Sequence, residues 1–374
     1  MSILGGALKE WSDRNRYSSF NSAKGFCYSL HYLAIARDRL LVPVEASIDP
    51  AGTCQLDCQW CGSYSFLSPR GSRYEKAHRM PSGHLLRLTD FLLSWGVVGF
   101  CLGGGGEPSL NPDCAATIHR IREYGQGREV AMISNGIYWG KDLIEALPLC
   151  RFVGISVDAA SSLEYQRIKG GSRNVFYRVL DNISNLVSRL DGYCDVSFKF
   201  LVVPENTRSI LDACILAKKI GVREFHARPA KVERKEAFFG RETVFNVPLI
   251  KDLFAACHDL EDEKFRVITS WHKFGENFKA KNDFSRCWAS PLQIQTCADG
   301  GVYVCQDQRL EPRFLLGSHY PDPENILNFW GKEEHLRLLK ETRPKEDCCH
   351  CTYGLYNEQV EATVVRDNMC IAFP

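Results

Sequence analysis

From residue 41 onward, hydrophobic and polar positions alternate between two patterns. Short apolar runs of strand length stand at Val42–Ile48, Gly99–Gly103, Val130–Ser134, Phe152–Ser156, Val196–Val203 and Glu224–Arg228. Between them lie longer stretches with helical spacing, at His84–Trp95, Pro112–Tyr124, Lys141–Leu147, Val175–Leu190 and Ser209–Ile220. Gly96, Gly125 and Gly221 fall near the ends of these stretches, where a left-handed residue closes a helix. Strand followed by helix, repeated, predicts a parallel α/β architecture. In such a sheet the functional loops lie at the carboxyl ends of the strands.

The flanks read differently. Residues 1–40 form a mostly helical, amphipathic extension with Tyr28, Leu30, Tyr32, Leu33 and Ile35 on its apolar face. Pro229–Gly240 interrupts the alternation, with Lys231, Arg234 and Lys235 interleaved with Glu233 and Glu236 ahead of Phe238 and Phe239. That composition suits a solvated connector, or a basic lip over the mouth of the sheet. A helix at Val247–Leu260 and a strand-like Phe265–Trp271 follow. Beyond Phe284, Gln293–Gln295 and Val302–Cys305 flank Asp299-Gly300-Gly301, a hairpin signal with the glycines where positive φ is needed, and Gly331–Thr342 reads as a helix. The expected divisions are an extension (1–40), the repeated α/β unit (41–283), a small α+β appendage (284–356) and a tail (357–374).

Composition narrows the function classes. With 46 basic and 45 acidic side chains the net charge is +1, so bulk electrostatics do not point to nucleic acid or an anionic membrane. No apolar run reaches the ~20 residues of a membrane span, and Met1-Ser2-Ile3-Leu4-Gly5-Gly6 lacks a secretory signal's order. A cytoplasmic chain without a membrane partner is expected. There, 17 cysteines are reduced thiols or metal ligands. Cys27, Cys114, Cys150, Cys194 and Cys214, each alone in apolar surroundings, read as inert buried thiols.

Two cysteine groups carry the chemistry. Cys54, Cys58 and Cys61, spaced C-x3-C-x2-C, follow the first strand directly. Three close thiolates can hold three corners of a cubic iron–sulfur cluster and leave the fourth iron open. With Trp60 just before the last cysteine, this spacing resembles the signature of the radical S-adenosylmethionine (SAM) superfamily. Gly103-Gly104-Gly105-Gly106-Glu107-Pro108 ends the second strand. Gly105, Gly106, Glu107 and Pro108 match the Gly-Gly-Glu-Pro motif that contacts the SAM amino group in that family; a flexible turn leading into a helix is the alternative.

The resemblance also implies a partial (β/α)6 TIM-like barrel as the core fold. It places SAM contacts at Ser134-Asn135, closing the third strand, and at Ser156 and Asp158, closing the fourth. Helix capping remains an alternative for Asn135. Lys199 and Arg228 put cations inside or above the barrel, where charge serves a ligand or a salt bridge. For Arg228 the options are the SAM carboxylate, a substrate, or a bridge to Asp158. Trp60 is expected to pack over the cluster and exclude water.

The second group is Cys287, Cys305, Cys348 and Cys351. Four thiolates complete a site with no open position, a second [4Fe–4S] cluster or a structural zinc. Their spacing resembles the twitch domain, the shortened relative of the SPASM domain, and is similar to that of 2-deoxy-scyllo-inosamine dehydrogenases. Cys297, Cys349, His350 and Cys370 are left outside this ligand set. The implied activity is reductive cleavage of SAM to a 5′-deoxyadenosyl radical that takes hydrogen from a substrate C–H bond. Oxidation of a small polar substrate is the expected outcome, with the second cluster as electron acceptor. Epimerisation, rearrangement or crosslinking of an amino-acid, peptide or nucleotide group is the alternative. A non-enzymatic metal-binding protein would have no use for Gly103–Pro108. An electron donor such as flavodoxin or ferredoxin is the implied partner.

Overall fold

The structure, a computed structural model, describes residues 27–63, 79–232, 242–270, 282–348 and 351–362, together with Gly240 and Phe278. Most of the predicted extension, together with Arg234, Lys235, Phe238, Phe239, Cys349, His350 and Cys370, lies outside the described residues.

Seven parallel strands run in chain order across the sheet: β1 (Glu45–Ile48), β2 (Gly99–Leu102), β3 (Glu129–Ser134), β4 (Phe152–Ser156), β5 (Asp195–Val202), β6 (Glu224–Pro229) and β7 (Arg266–Thr269). Helices α2 (His84–Trp95), α3 (Cys114–Tyr124), α4 (Lys141–Ala146), α5 (Ser162–Lys169), α6 (Arg173–Val187), α7 (Ile210–Lys219) and α8 (Val247–His258) form the crossovers. This is the mixed α/β, parallel-sheet arrangement of a partial TIM-like barrel. One crossover helix, α5, is absent from the sequence reading.

Strand alternation explains the layering. Residues such as Ile48, Leu102, Met132, Ile155, Phe198 and Phe225 face the helices and are fully buried. Burying each contributes about 1.5–3 kcal/mol. The paired positions on the opposite face are mainly small or polar, with Ile133 and Leu201 the large apolar side chains among them. The parallel register sets Gly154 beside Ser197, Ser156 beside Lys199, and Lys199 beside His226. That face lines the barrel interior.

The appendage continues the same sheet. Strand β8 (Gln293–Thr296) pairs in parallel with β1, Glu45 opposite Gln293 and Ser47 opposite Gln295. Strands β9 (Gly301–Tyr303) and β10 (Leu315–Ser318) extend it antiparallel, giving ten strands in all. In the β8–β9 turn only Gly300 takes positive φ, at +88°; Gly301 does not, contrary to the sequence reading. Helices α9 (Glu333–Glu341), α10 (Pro344–Asp347) and α11 (Gly354–Val360) complete the appendage. Near the start of the described chain, α1 (Ser29–Ala36) buries Tyr32 and Ile35 against Trp288, Leu292 and Tyr356. Leu30 and Leu33, expected on the same face, are exposed. No helix among the described residues is long and apolar enough to cross a membrane.

Candidate active site and metal centres

The first cysteine loop leaves β1 and is locked to the glycine loop that leaves β2. Gly106 N donates to Ala51 O (3.1 Å) and Glu107 N to Thr53 O (2.7 Å). The approach is so close that a Cβ on Gly106 would stand 2.3 Å from Thr53 O and 2.6 Å from Ala51 O. A glycine is required there because backbone meets backbone.

Glu107 is buried and braces this corner. Its carboxylate accepts from Ser134 Oγ (2.7 Å), Asn135 N (2.7 Å) and Ser109 N (3.2 Å). Burial pushes its pKa up, while these donors favour the charged form. Asn135 Nδ2 in turn donates to Gln55 Oε1 (3.0 Å) and lies 3.7 Å from Cys54 Sγ. Gly105, Gly106, Glu107, Pro108, Ser134 and Asn135 are thus brought against the Cys54 loop, with Glu107 occupied by protein donors.

On the other side, a cavity of ≈ 340 Å³ opens beside Cys58 and Cys61. Trp60, Ser156, Asp158, Lys199 and Arg228 all line it, together with Lys169 and His226. Five of the sequence-derived cofactor residues therefore share one cavity wall. Lys199 reaches it by crossing Gly154, where a Cβ would fall 2.1 Å from Lys199 Cε. Lys199 Nζ lies 3.3 Å from His226 Nδ1, and His226 Nε2 lies 2.9 Å from Ser270 Oγ. Burial, with Arg228 nearby, pushes Lys199 down to about 8.

Lys169, on the helix the sequence reading missed, is the ion-pair partner of Asp158 at 2.5 Å. Burial opposes its charge, but Asp158 and then Cys58 outweigh burial and hold its pKa above the ordinary lysine value. The bridge between Arg228 and Asp158 is therefore not formed. No carboxylate lies within ion-pair distance of Arg228 among the described residues. Burial lowers its pKa, while Asp307 and Asp158 act from further away to support its charge.

The second cysteine group is stitched together by two amide side chains that sequence reasoning did not single out. Gln308 Nε2 donates to Asp347 O (2.9 Å) and lies 3.5 Å from Cys348 Sγ. Asn357 Oδ1 accepts from Trp288 N (2.6 Å) and Ala289 N (2.9 Å), next to Cys287, and its Nδ2 lies 3.5 Å from Cys351 Sγ. Asp307 N donates to Cys305 Sγ at 3.4 Å, as Ser63 N does to Cys61 Sγ. Burial, then neighbouring thiols and Asp307, push Cys351 well up; burial, then Cys287, raise Cys348 to about 12.

N–H groups are thus aimed at Cys54, Cys61, Cys305, Cys348 and Cys351. A neutral thiol is a weak acceptor, so these donors suit thiolates held as ligands, whose N–H···S bonds tune a cluster. Among the described residues, no three or more His, Cys, Asp or Glu groups are drawn together as a single metal ion requires. A cluster binds each thiolate at a different iron, so its ligands need only surround it. The donors suit thiolate ligands in both groups. Asp307 pairs with Lys231 (3.2 Å) and accepts from Thr352 N (2.6 Å), joining the end of β6 to the second group. The second group is thereby tied to the chain three residues past Arg228, which lines the cavity.

Residues 48–226 match the family model described as the Radical SAM superfamily. No curated protein matches the chain in sequence. Among solved structures, SuiB of Streptococcus suis bound to S-adenosylmethionine superposes with a TM-score of 0.63 at 14% identity, covering 88% of this chain and 75% of that one. The same protein bound to its precursor peptide SuiA gives 0.61 at 14% identity, covering 88% and 74%. The structure of anSMEcpe with bound AdoMet and the Kp18Cys peptide gives 0.57 at 14% identity, covering 85% and 94%. At these identities the likeness speaks to fold.

Proposed function

Through residues 48–226 this chain belongs to the radical SAM superfamily, and from that premise we propose that it is a two-cluster oxidoreductase acting on a small polar substrate. Cys54, Cys58 and Cys61 would hold the [4Fe–4S] cluster that binds SAM, and Cys287, Cys305, Cys348 and Cys351 a second, fully ligated one. When bound, the first cluster and SAM supply a 5′-deoxyadenosyl radical able to take hydrogen from an unactivated C–H bond. The chain's own residues supply position, dryness and charge.

Glu107 braces the glycine loop through Ser134 and Asn135, and that loop packs backbone to backbone on the loop of Cys54. The Lys169–Asp158 pair and Ser156 line the wall beside Cys58 and suit the carboxylate and hydroxyls of SAM. Arg228 and Lys199, without carboxylate partners at ion-pair distance among the described residues, suit the polar groups of a substrate or of SAM. Trp60, which lines the cavity with Cys58 and Cys61, would keep water from the cluster.

The observation that carries the reading is the set of N–H donors aimed at five of the seven thiols, beside a cavity lined by Cys58 and Cys61. The oxidative outcome is supported by the Asp307–Lys231 pair, which ties the second thiol group to the segment just past the end of β6, the strand that carries Arg228. A peptide side chain is the second reading for the substrate, favoured by the peptides bound in SuiB and anSMEcpe. Either substrate is taken with an electron donor of the flavodoxin or ferredoxin kind.

Anaerobic reconstitution with iron and sulfide, then dithionite and SAM, should yield 5′-deoxyadenosine and about eight irons per chain. About four irons with one zinc would reassign the second site as structural. Intact clusters that form no 5′-deoxyadenosine would overturn the reading. Cys58→Ala should abolish SAM cleavage, and a fully active variant would remove the triplet from the chemistry. Deuterium transfer from labelled candidate substrates into 5′-deoxyadenosine would separate small molecules from peptides.

A further inference from the structure

Buried Asp49 and half-buried Arg309 form an ion pair that links the backbones of both thiol groups. Asp49 follows β1 and leads into the loop of Cys54, and its side chain is 1% exposed. Arg309 follows Cys305, and its Nε folds back to donate to Gln306 O at 2.8 Å. Its NH1 stands 3.4 Å from Asp49 Oδ2. The same oxygen accepts from Gly105 N at 2.9 Å and lies 3.6 Å from Cys297 Sγ at the end of β8. Space for the carboxyl exists because Gly104, at φ +133°, has no Cβ; one would fall 2.6 Å from Asp49 Cγ. Four segments thus meet at one carboxylate: the first cysteine loop, the glycine loop, the end of β8 and the Cys305 loop.

We propose that Arg309, fixed by Asp49, is a positioning residue between the two thiol groups whose charge sets the reduction potential of the cluster at Cys54, Cys58 and Cys61. This rests on the reading that both groups carry clusters. Arg309 belongs by chain to the second group, yet its partner Asp49 leads into the loop of Cys54 and holds Gly105 of the glycine loop that packs against it. In a buried setting charges interact more strongly than in water. A fixed cation stabilises the added electron and raises the cluster's potential, and an adjacent anion partly cancels it. Arginine suits the task because it stays charged and its planar fork holds one orientation.

The two partners make opposite predictions, which separates charge from simple bracing. Arg309→Gln, Arg309→Lys and Asp49→Asn would be reconstituted as full-length chains. The clusters would be titrated with dithionite under EPR, using added SAM to identify the signal of the open cluster. Arg309→Gln should move that cluster's midpoint to a more negative potential, and Asp49→Asn to a more positive one. Arg309→Lys should stay near the parent value. Both Arg309→Gln and Asp49→Asn break the same ion pair, so a structural role would move them in the same direction. Shifts of the same sign, no shift, or loss of about four irons from both variants would overturn the proposal. A parent protein that assembles no clusters, or forms no 5′-deoxyadenosine, would instead sink the functional reading beneath it.

Discussion

Lys199 shows how a single side chain can sacrifice stability for a site. Burial pushes it from the ordinary 10.5 to about 8, so the folded chain loses its proton more readily than the unfolded chain does. Below pH 8 the buried ammonium is present in full and weakens the fold. Between pH 8 and 10.5 the unfolded chain binds the extra proton, and stability rises with pH. Lys199→Met should therefore stabilise the metal-free chain at pH 7 by about 1–3 kcal/mol. The gain should fade as pH climbs through that window. Urea unfolding at pH 7 and at about pH 9.5 measures both, and a pH-independent gain would refute the burial argument. The same variant should weaken substrate or SAM binding, since a thioether offers no N–H to the cavity.

At the scale of elements, the loops after β1 and β2 act as one unit because backbone packs on backbone at Gly106. Alanine there sets a methyl 2.3 Å from Thr53 O, and a carbonyl in a loop held by hydrogen bonds cannot swing aside. Gly106→Ala should cost about 1–3 kcal/mol and lower the iron held by Cys54, Cys58 and Cys61. Iron analysis beside a thermal melt tests this, and unchanged iron content would contradict it. The six barrel strands were legible in the sequence because each carries a run of apolar residues facing the helices. Helix α5 was not. Its eight residues bury only Tyr165, Ile168 and Lys169, and it lies between Asp158 and two glycines that read as a loop. Missing it meant missing Lys169, and so keeping Arg228 among the options for a partner to Asp158. The triplet Cys54, Cys58 and Cys61 and the pair Cys348 and Cys351 stand out in the sequence because their spacing is local. Gln308 and Asn357 were not, because an amide's role depends on which sulfur the fold brings beside it.

For the whole molecule, the continuous sheet decides how the appendage relates to the barrel. A boundary at residue 284 is natural in sequence, where the alternation of strand and helix ends. In the structure β8 lies against β1, so that boundary cuts through one hydrogen-bonded sheet. Removing the appendage would leave β1 an open edge, a template for pairing with other chains. It would also remove Arg309 from Asp49, leaving a buried carboxylate without its cation, a change that typically costs about 3–5 kcal/mol. A chain ending at residue 283 should therefore aggregate or unfold at low denaturant, and the intact metal-free chain should unfold in one cooperative transition. Size-exclusion chromatography and circular dichroism on both chains test the pair of expectations. A monomeric, folded 1–283 fragment that still binds iron at the first site would show that the barrel stands alone. It would leave β8 an accessory strand, and the link between the two thiol groups a matter of proximity alone.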